Sequence, residues 1–306
     1  MIQTTIINQY EHELQRQVLN LFHADACRLH DNHFGPKVYT NAQRIALLVL
    51  KVRSKKSFED FANSLFETKW PRWRGLREIP VSSSIHRWVK KFHMRFIRKL
   101  NRMLLRKEQP EIIAVDGTGI DSWQRSRHYE RRIGQSPMPY AKLDILVDTN
   151  KLFVHDWVLR TKPRHDIIAA KAMIKRTRKL GALLLGDKAY DCESLHELAE
   201  GLGMRFYAPV KRSPNSKFPK PKKKHRKKAL AKGCAEYPQR NMAETTIRSI
   251  KSRIHALKSK MPHMKKREMA WNILTYNLEK VCSQVAALYR MLIRASFGIQ
   301  PLDANV

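Results

Sequence analysis

The chain has 306 residues, of which 42% are hydrophobic, enough for packed cores in about two domains. Lys and Arg number 60 against 27 Asp and Glu, so the formal net charge is +33. This excess favours a polyanionic partner, and no apolar run approaches the roughly 18 residues of a membrane span. We expect a nucleic-acid partner, no membrane association and a cytoplasmic, nucleoid-associated location. A generic basic protein is the alternative.

The N-terminal part of the chain carries helix patterns. Crowded apolar residues at 41–52 predict a buried helix that begins with a cap at Asn41. Ser57 is followed by the acids Glu59 and Asp60, and this pattern predicts the start of a second helix. A Trp- and Arg-rich loop is expected at residues 70–74. A third, basic helix is expected over residues 82–100.

Two short helices followed by a basic one favour a helix-turn-helix-like DNA-binding module within residues 1–108. A plain helical bundle with a solvated basic face is the alternative. In the first case, the third helix contacts DNA through Arg87, Lys90 and Lys91.

From Pro110 the pattern changes to short apolar runs bounded by turn residues, which are typical of buried strands. Helical segments alternate with the later strands, so we expect an α/β fold with a mixed sheet covered by helices. The predicted strands are residues 112–115, 143–147, 152–159, 182–185 and 204–208. The predicted helices are residues 167–180, 193–201, 237–258 and 267–289. Asp166 is expected to cap the first of these helices.

A separate basic stretch covers residues 209–232, with 11 Lys or Arg, four Pro and no acid. This composition cannot bury a core, so the stretch is expected to be mobile without a ligand. It could close on a DNA backbone, with Lys222, Lys223 and Lys224 among its phosphate contacts. A solvated surface loop is the alternative.

Two acids stand where predicted buried strands end. Asp116 follows an Ile-Ile-Ala-Val run, and Asp187 follows Leu-Leu-Leu-Gly. Sheets present ligand sites at the carboxyl ends of their strands, and hard divalent metals take carboxylate oxygens. Either acid alone could equally be a turn or capping residue.

The third acid, Glu244, lies on a predicted helix. Arg240 precedes it by four residues, while Tyr237 and Lys251 are each seven residues away, so all four fall on one helical stripe. An Arg–Glu pair alone would contribute only about 0.5 kcal/mol and would not explain the Tyr and the Lys. The stripe therefore indicates a surface for metal and phosphate.

These residues carry a resemblance to a known family. Residues 112–119, residues 186–191 and the Y-x2-R-x3-E-x6-K pattern resemble the DDE transposases of prokaryotic insertion sequences, in the group named for insertion sequences four and five. The resemblance covers residues 110–285.

The resemblance implies an RNase H-like catalytic domain over residues 109–290, with the basic stretch as an insertion at 209–236 and a C-terminal tail at 291–306. It implies two Mg²⁺ ions bound by the three acids, with Mn²⁺ as a substitute. It also implies transposon-end and target DNA as partners of a homodimer. The implied catalytic and metal-binding residues are Asp116, Asp187 and Glu244, and the implied phosphate contacts are Tyr237, Arg240 and Lys251.

The implied reaction is DNA cleavage at the element's ends followed by strand transfer into target DNA. Two alternatives stay open at this point. One is a metal-dependent nuclease of the same fold that cleaves without joining, and the other is a non-catalytic DNA-binding protein.

Overall fold

The chain folds into two compact units. The first contains 1–92, 99–104 and 274–306, and the second contains 93–98 and 105–273. Residues 1–11 and the part of the expected tail beyond residue 296 lie outside the described residues. The computed structural model describes residues 12–14, 16–18, 20, 29–30, 37–122, 141–177, 183–212 and 217–296.

Short helices build the first unit, where α1, α2 and α4 pack on one another. Ile45, Ile85 and Trp88 are buried there. In the described part of the chain, no helix has the length and apolar character needed to cross a membrane. The helices up to the sheet are α1 (Asn41–Ser54), α2 (Phe58–Ser64), α3 (Trp70–Trp73), α4 (Ser82–Lys91) and α5 (Met94–Leu104).

Three sequence expectations for this region were wrong in detail. The cap of α1 is Thr40 and not Asn41, because Thr40 and Gln43 form a reciprocal capping box. The expected Trp- and Arg-rich loop begins as the helical turn α3. The expected helix over 82–100 is two helices, because Phe92 adopts an extended ψ of 109° between α4 and α5.

A five-stranded mixed sheet forms the centre of the second unit, in the order β3-β2-β1-β4-β5. β1 pairs antiparallel with β2 and parallel with β4, so the sheet changes direction at its central strand. β2 pairs antiparallel with β3, and β4 pairs parallel with β5. The strands are β1 (Ile112–Gly119), β2 (Lys142–Asp148), β3 (Val154–Arg160), β4 (Leu183–Gly186) and β5 (Arg205–Tyr207).

Alternating side chains of the strands bury both faces of this sheet. On one face, Ile113 and Val115 join a core with residues of the helices α6 (Asp166–Arg176) and α7 (Glu193–Glu200). On the other face, Ala114 packs with Ala243 of the helix α9 (Asn241–Ile254). The expected mixed sheet flanked by helices is thereby confirmed.

Helix ends differ from the expected ones by several residues. His165 and not Asp166 caps α6, and the end of the expected helix, residues 178–180, lies outside the described residues. The helix expected over 237–258 begins as a 3-10 turn, Tyr237–Arg240, and continues as α9 only to Ile254. The last helix is longer than expected at both ends and includes the start of the expected tail.

The basic stretch was expected to be mobile, and this was wrong for its second half. Residues 224–232 form the helix α8 (Lys224–Lys232), whose first backbone N–H groups donate to the carboxylate of Glu193 at 3.0 and 3.3 Å. Arg226 donates two hydrogen bonds, of 2.8 and 2.6 Å, to Asp191. Residues 213–216 lie outside the described part.

The final helix is α10 (Pro262–Ser296).

Candidate active site

The strand register brings Asp116 and Asp187 to neighbouring positions. Val115 of β1 pairs with Gly186 of β4, and each Asp is the next residue of its chain segment. Because the two strands are parallel, both acids come directly after the last pair of this ladder, although β1 itself continues to Gly119 beside β2 and is longer than the expected strand 112–115. Asp116 accepts a 2.8 Å hydrogen bond from the Gly117 N–H, and Asp187 accepts one of 2.7 Å from Ala189 N–H.

Glu244 joins this edge through Arg240. Arg240 Nη2 donates to Glu244 Oε1 at 2.6 Å, and Arg240 Nη1 lies 3.6 Å from Asp116 Oδ2. The helix α9 that carries Glu244 packs on β1 and β2. One guanidinium therefore bridges the acid of the central strand and the acid of the helix.

The charges of this group are strongly coupled. Burial raises the pKa of Asp116, the negative charges of Asp187 and Glu244 add to the increase, and the Gly117 N–H and Arg240 oppose it. Burial acts against the protonated form of Arg240, but its hydrogen bond to Glu244 and the charge of Asp116 raise its pKa overall. Asp187 and Glu244 therefore each repel Asp116, and a cation beside Asp116 relieves that repulsion.

The two remaining residues of the predicted stripe lie on the same side of the sheet. Lys251 Nζ donates to Thr118 Oγ1 at 3.1 Å, which places its ammonium group beside the end of β1. Tyr237 stacks edge-on against Tyr207 of β5, with ring centroids 5.5 Å apart. The structure thus brings all four stripe residues to the neighbourhood of β1, β4 and β5.

The other predicted DNA contacts are exposed but belong to separate elements. Arg87, Lys90 and Lys91 are exposed on α4 in the first unit. Lys222 and Lys223 precede α8, and Lys224 begins it, in the second unit. All six side chains are accessible to a polyanion, as the predictions require.

Sequence reasoning missed a largely buried network of charged residues around β2, the strand that pairs with β1 next to Asp116. Arg160 donates to both carboxylate oxygens of Asp144, at 2.7 and 2.8 Å, and to Asp166 at 2.6 Å. Lys142 donates to the same Asp166 at 2.7 and 2.8 Å. Asp144 is the register partner of Gly117 on β1, so this network supports the backbone next to Asp116.

Tyr190 is a second residue that sequence reasoning missed. It follows Asp187 by three residues, is 1% exposed, and its hydroxyl has no hydrogen-bond partner among the described residues. The hydroxyl would lie 3.4 Å from a Cβ atom built on Gly117. Burial raises the pKa of Tyr190, and the charges of the surrounding acids add to the increase, so its phenol stays protonated.

Carboxylates at neighbouring positions of two parallel strands, next to a cationic helix, fit an enzyme that acts on DNA, and the sequence supports that class. The sequence matches the family described as transposase DDE domain over residues 107–278, more than half of the chain, and the chain belongs to that family of DNA transposases. No protein of curated function matches the sequence significantly.

Several solved structures are similar to the chain at low identity, and the family assignment rests on the sequence match. The piggyBac transposase in a synaptic complex with hairpin DNA shares 9% identity, with a TM-score of 0.39 over 95% of this chain and 82% of that chain. The Mos1 transposase paired-end complex with the left transposon end shares 12%, with a TM-score of 0.22 over 61% and 64%.

A third similar structure is the simian T-cell lymphotropic virus intasome in complex with the regulatory subunit B56 gamma of PP2A. It shares 13% identity, with a TM-score of 0.29 over 74% of this chain. The aligned part of our protein covers 64% of the length of the intasome chain.

Transposases of this family use divalent metal ions. The donor set fits such an ion chemically, because all three acids offer hard carboxylate oxygens, and Asp187 and Glu244 each repel Asp116 without a cation. As placed, however, no three His, Cys, Asp or Glu side chains of the described residues lie close enough together to hold a metal. The guanidinium of Arg240 lies between Asp116 and Glu244, so it must move for the two acids to share an ion.

Proposed function

We propose that this transposase binds the ends of an insertion sequence, cleaves the DNA there and joins the freed 3′ end to target DNA, with Asp116, Asp187 and Glu244 as its catalytic residues. The observation that carries the proposal is the convergence of these acids: two follow paired residues of parallel strands, and the third is linked to the first by one guanidinium. The proposal includes membership of the insertion sequence four and five group, whose pattern the stripe on α9 matches.

Each acid has a role in this proposal. Asp116, on the central strand, is next to Asp187 and is connected to Glu244 through Arg240, so it is the best placed of the three to share two Mg²⁺ ions. Asp187 and Glu244 would each hold one ion. Bound in this way, the ions would lower the pKa of the attacking hydroxyl and stabilise charge on the phosphodiester. No protein nucleophile is required.

The cations next to the acids would hold the DNA. Lys251, positioned by Thr118, is seven residues from Glu244 on the same helix face, so it can contact a phosphate next to the scissile one. Arg240 is the other phosphate contact of this face, and the Tyr237 ring packs against the sugar-phosphate backbone. Phosphate contacts position the duplex but carry no sequence information, so recognition of the element's ends needs further residues.

A cleavage assay tests the proposal. Oligonucleotides carry the inverted repeats that flank the coding sequence, and nicking is followed with Mg²⁺ present. D116N, D187N and E244Q should each abolish nicking while retaining DNA binding, because only the ligand oxygens are changed. E197Q, which removes an exposed acid of α7, is the matched control and should cleave normally. Nicking by D116N at the wild-type rate would refute the assignment.

A joining assay separates a transposase reaction from simple cleavage by a nuclease. Pre-cleaved end DNA with a free 3′ hydroxyl is mixed with a supercoiled plasmid. Covalent end–plasmid products should form with the wild-type chain and be absent with D187N. Cleavage without any joined product would favour the nuclease alternative.

A homodimer on DNA is part of the proposal, because a transposition reaction must hold two ends of one element. Light scattering of the chain with end DNA should give the mass of two chains and two DNA ends. A complex of one chain with one end throughout the titration would contradict this part. The cleavage assignment does not depend on it.

A further inference from the structure

The Trp- and Arg-rich segment at residues 70–74 has no role in the proposed catalytic site. Its last residue, Arg74, has a firmly fixed backbone. Arg74 N–H donates to the Trp70 carbonyl at 2.9 Å, and the Arg74 carbonyl accepts from Gln43 Nε2 at 2.9 Å. Gln43 is itself fixed by the capping box of α1. The start of α1 therefore holds the position from which the Arg74 side chain extends.

The side chain of Arg74 is a buried cation that has no counter-ion among the described residues. The residue is 9% exposed, and its Nε and Nη2 atoms are buried with no hydrogen-bond partner among the described residues. Burial lowers the pKa of Arg74 to about 10, so the guanidinium is still charged at neutral pH. A buried charge is costly unless it is paired and hydrogen-bonded. The buried guanidinium of Arg74 therefore requires an anion, and the described part of the chain does not supply one.

The surface around Arg74 suits a phosphate. Trp73 is 41% exposed, and Arg72 and Arg77 are exposed on either side of it. Residues 69–77 contain four basic residues and no acid. An exposed indole offers a flat apolar face to a sugar or a base, and a guanidinium fits the geometry of phosphate oxygens. The local charge therefore favours an oxyanion as the ligand.

We propose that Arg74 is the centre of an oxyanion site in the first unit, and that the oxyanion is a backbone phosphate of bound DNA, with Trp73 packing beside it. The choice of DNA as the source of the phosphate rests on the proposed function. The site itself rests only on the unpaired guanidinium and its surroundings. Arg74 is separate from Arg87, Lys90 and Lys91, which are exposed contacts on another helix.

The first arm of the test uses inorganic phosphate and no DNA. Thermal unfolding of the full chain is measured in potassium phosphate and in potassium chloride at equal ionic strength. Phosphate should raise the wild-type Tm by about 3 °C. R74M should lose this increment, whereas R102M, which removes an exposed arginine of α5, should retain it. R74Q is measured too, because it removes the charge but leaves a polar side chain, and it should behave like R74M.

The second arm uses a duplex oligonucleotide. The plot of log Kobs against log salt concentration for R74M should be shallower than that of the wild type by about one unit, as expected for one lost phosphate contact. An unchanged phosphate increment in both Arg74 variants would overturn the site. A lost increment with an unchanged salt slope would show that the site takes free phosphate, and would overturn DNA as its source. Neither arm measures cleavage, so failure here leaves the catalytic proposal standing, and the reverse also holds.

Discussion

Arg240 Nη2 lies 2.6 Å from Glu244 Oε1, so a protein cation already holds one of the three proposed metal ligands. The same guanidinium reaches to within 3.6 Å of Asp116. It therefore balances part of the negative charge that a divalent ion would otherwise balance. Competition between an internal arginine and a metal for the same carboxylates has a measurable consequence.

Replacement of Arg240 by Gln should tighten metal binding while weakening DNA binding. Without the guanidinium, Asp116 and Glu244 lose their internal cation, and we expect the affinity for Mn²⁺ to rise about two- to tenfold. Isothermal titration of the full chain with Mn²⁺ measures this directly. R248Q is the control, because Arg248 is exposed on the same helix and, among the described residues, the ion pairs of Asp116 and Glu244 are made by Arg240. Equal Mn²⁺ affinity for R240Q and R248Q would contradict the competition.

A second prediction concerns the glycine next to Asp116. A Cβ atom at Gly117 would lie 2.6 Å from Asp144 Oδ1 and 3.1 Å from Lys142 Cε. Asp144 is held by two bonds from Arg160 and cannot move cheaply. G117A should therefore destabilise the chain by about 1–3 kcal/mol, the usual cost of overpacking.

Urea unfolding measures this cost, and the same strand supplies the control. A Cβ atom at Gly119 has no neighbour within 4 Å, so G119A should change the unfolding free energy by less than about 0.5 kcal/mol. If both variants unfold at the same urea concentration, close packing against Asp144 is not what requires glycine at position 117.

A third prediction concerns Tyr190, whose buried hydroxyl has no partner among the described residues. Removing an unsatisfied buried hydroxyl removes its desolvation cost, so Y190F should be more stable by about 1 kcal/mol in urea unfolding. Y207F changes a partly exposed tyrosine of β5 and should be close to neutral. A less stable Y190F would show that the hydroxyl makes a bond in solution, for example through ordered water.

The positions of the three acids in the fold could be predicted from sequence because their signals are local. Asp116 and Asp187 each follow a short apolar run, and such runs mark buried strands without any knowledge of the partner strand. Glu244 lies on a helical stripe that a period of 3.6 residues is enough to reveal. The strands themselves were expected within a few residues of their ends for the same reason.

Other features depended on contacts that no local pattern carries. The break at Phe92 was missed because the apolar spacing of the expected helix continues across it, so periodicity alone cannot reveal an extended residue there. The ion pair of Asp144 with Arg160 depends on the register of β2 with β3, which cannot be predicted from the sequence alone. Long-range strand pairing, and not composition, therefore determines this ion pair.

The basic stretch shows the same limit. Its composition predicts mobility, but α8 is held by acids about 30 residues earlier in the chain. Asp191 and Glu193 offered no sequence sign of this role. Composition therefore describes what a segment can bury, but not which distant side chain can hold it.

The last prediction concerns this anchor, since Asp191 joins α8 to the segment that follows Asp187. The Asp191 side chain is 0% exposed and that of Arg226 is 26% exposed, so the pair is largely shielded from water. R226Q leaves the buried carboxylate without its partner, and we expect a loss of about 2 kcal/mol in the unfolding free energy. K227Q removes one charge and one trypsin site from the same helix without touching Asp191, so it should unfold like the wild type.

Trypsin digestion then reports on the helix itself. Local opening exposes backbone to protease, so cleavage within residues 217–232 should be several-fold faster in R226Q than in K227Q. DNA affinity should fall further in R226Q as well, because both variants lose one charge but only R226Q loses the fixed placement of the remaining ones. Matching digestion rates and matching affinities would mean that backbone contacts to Glu193 are enough to hold α8, and the ion pair with Asp191 would then be dispensable.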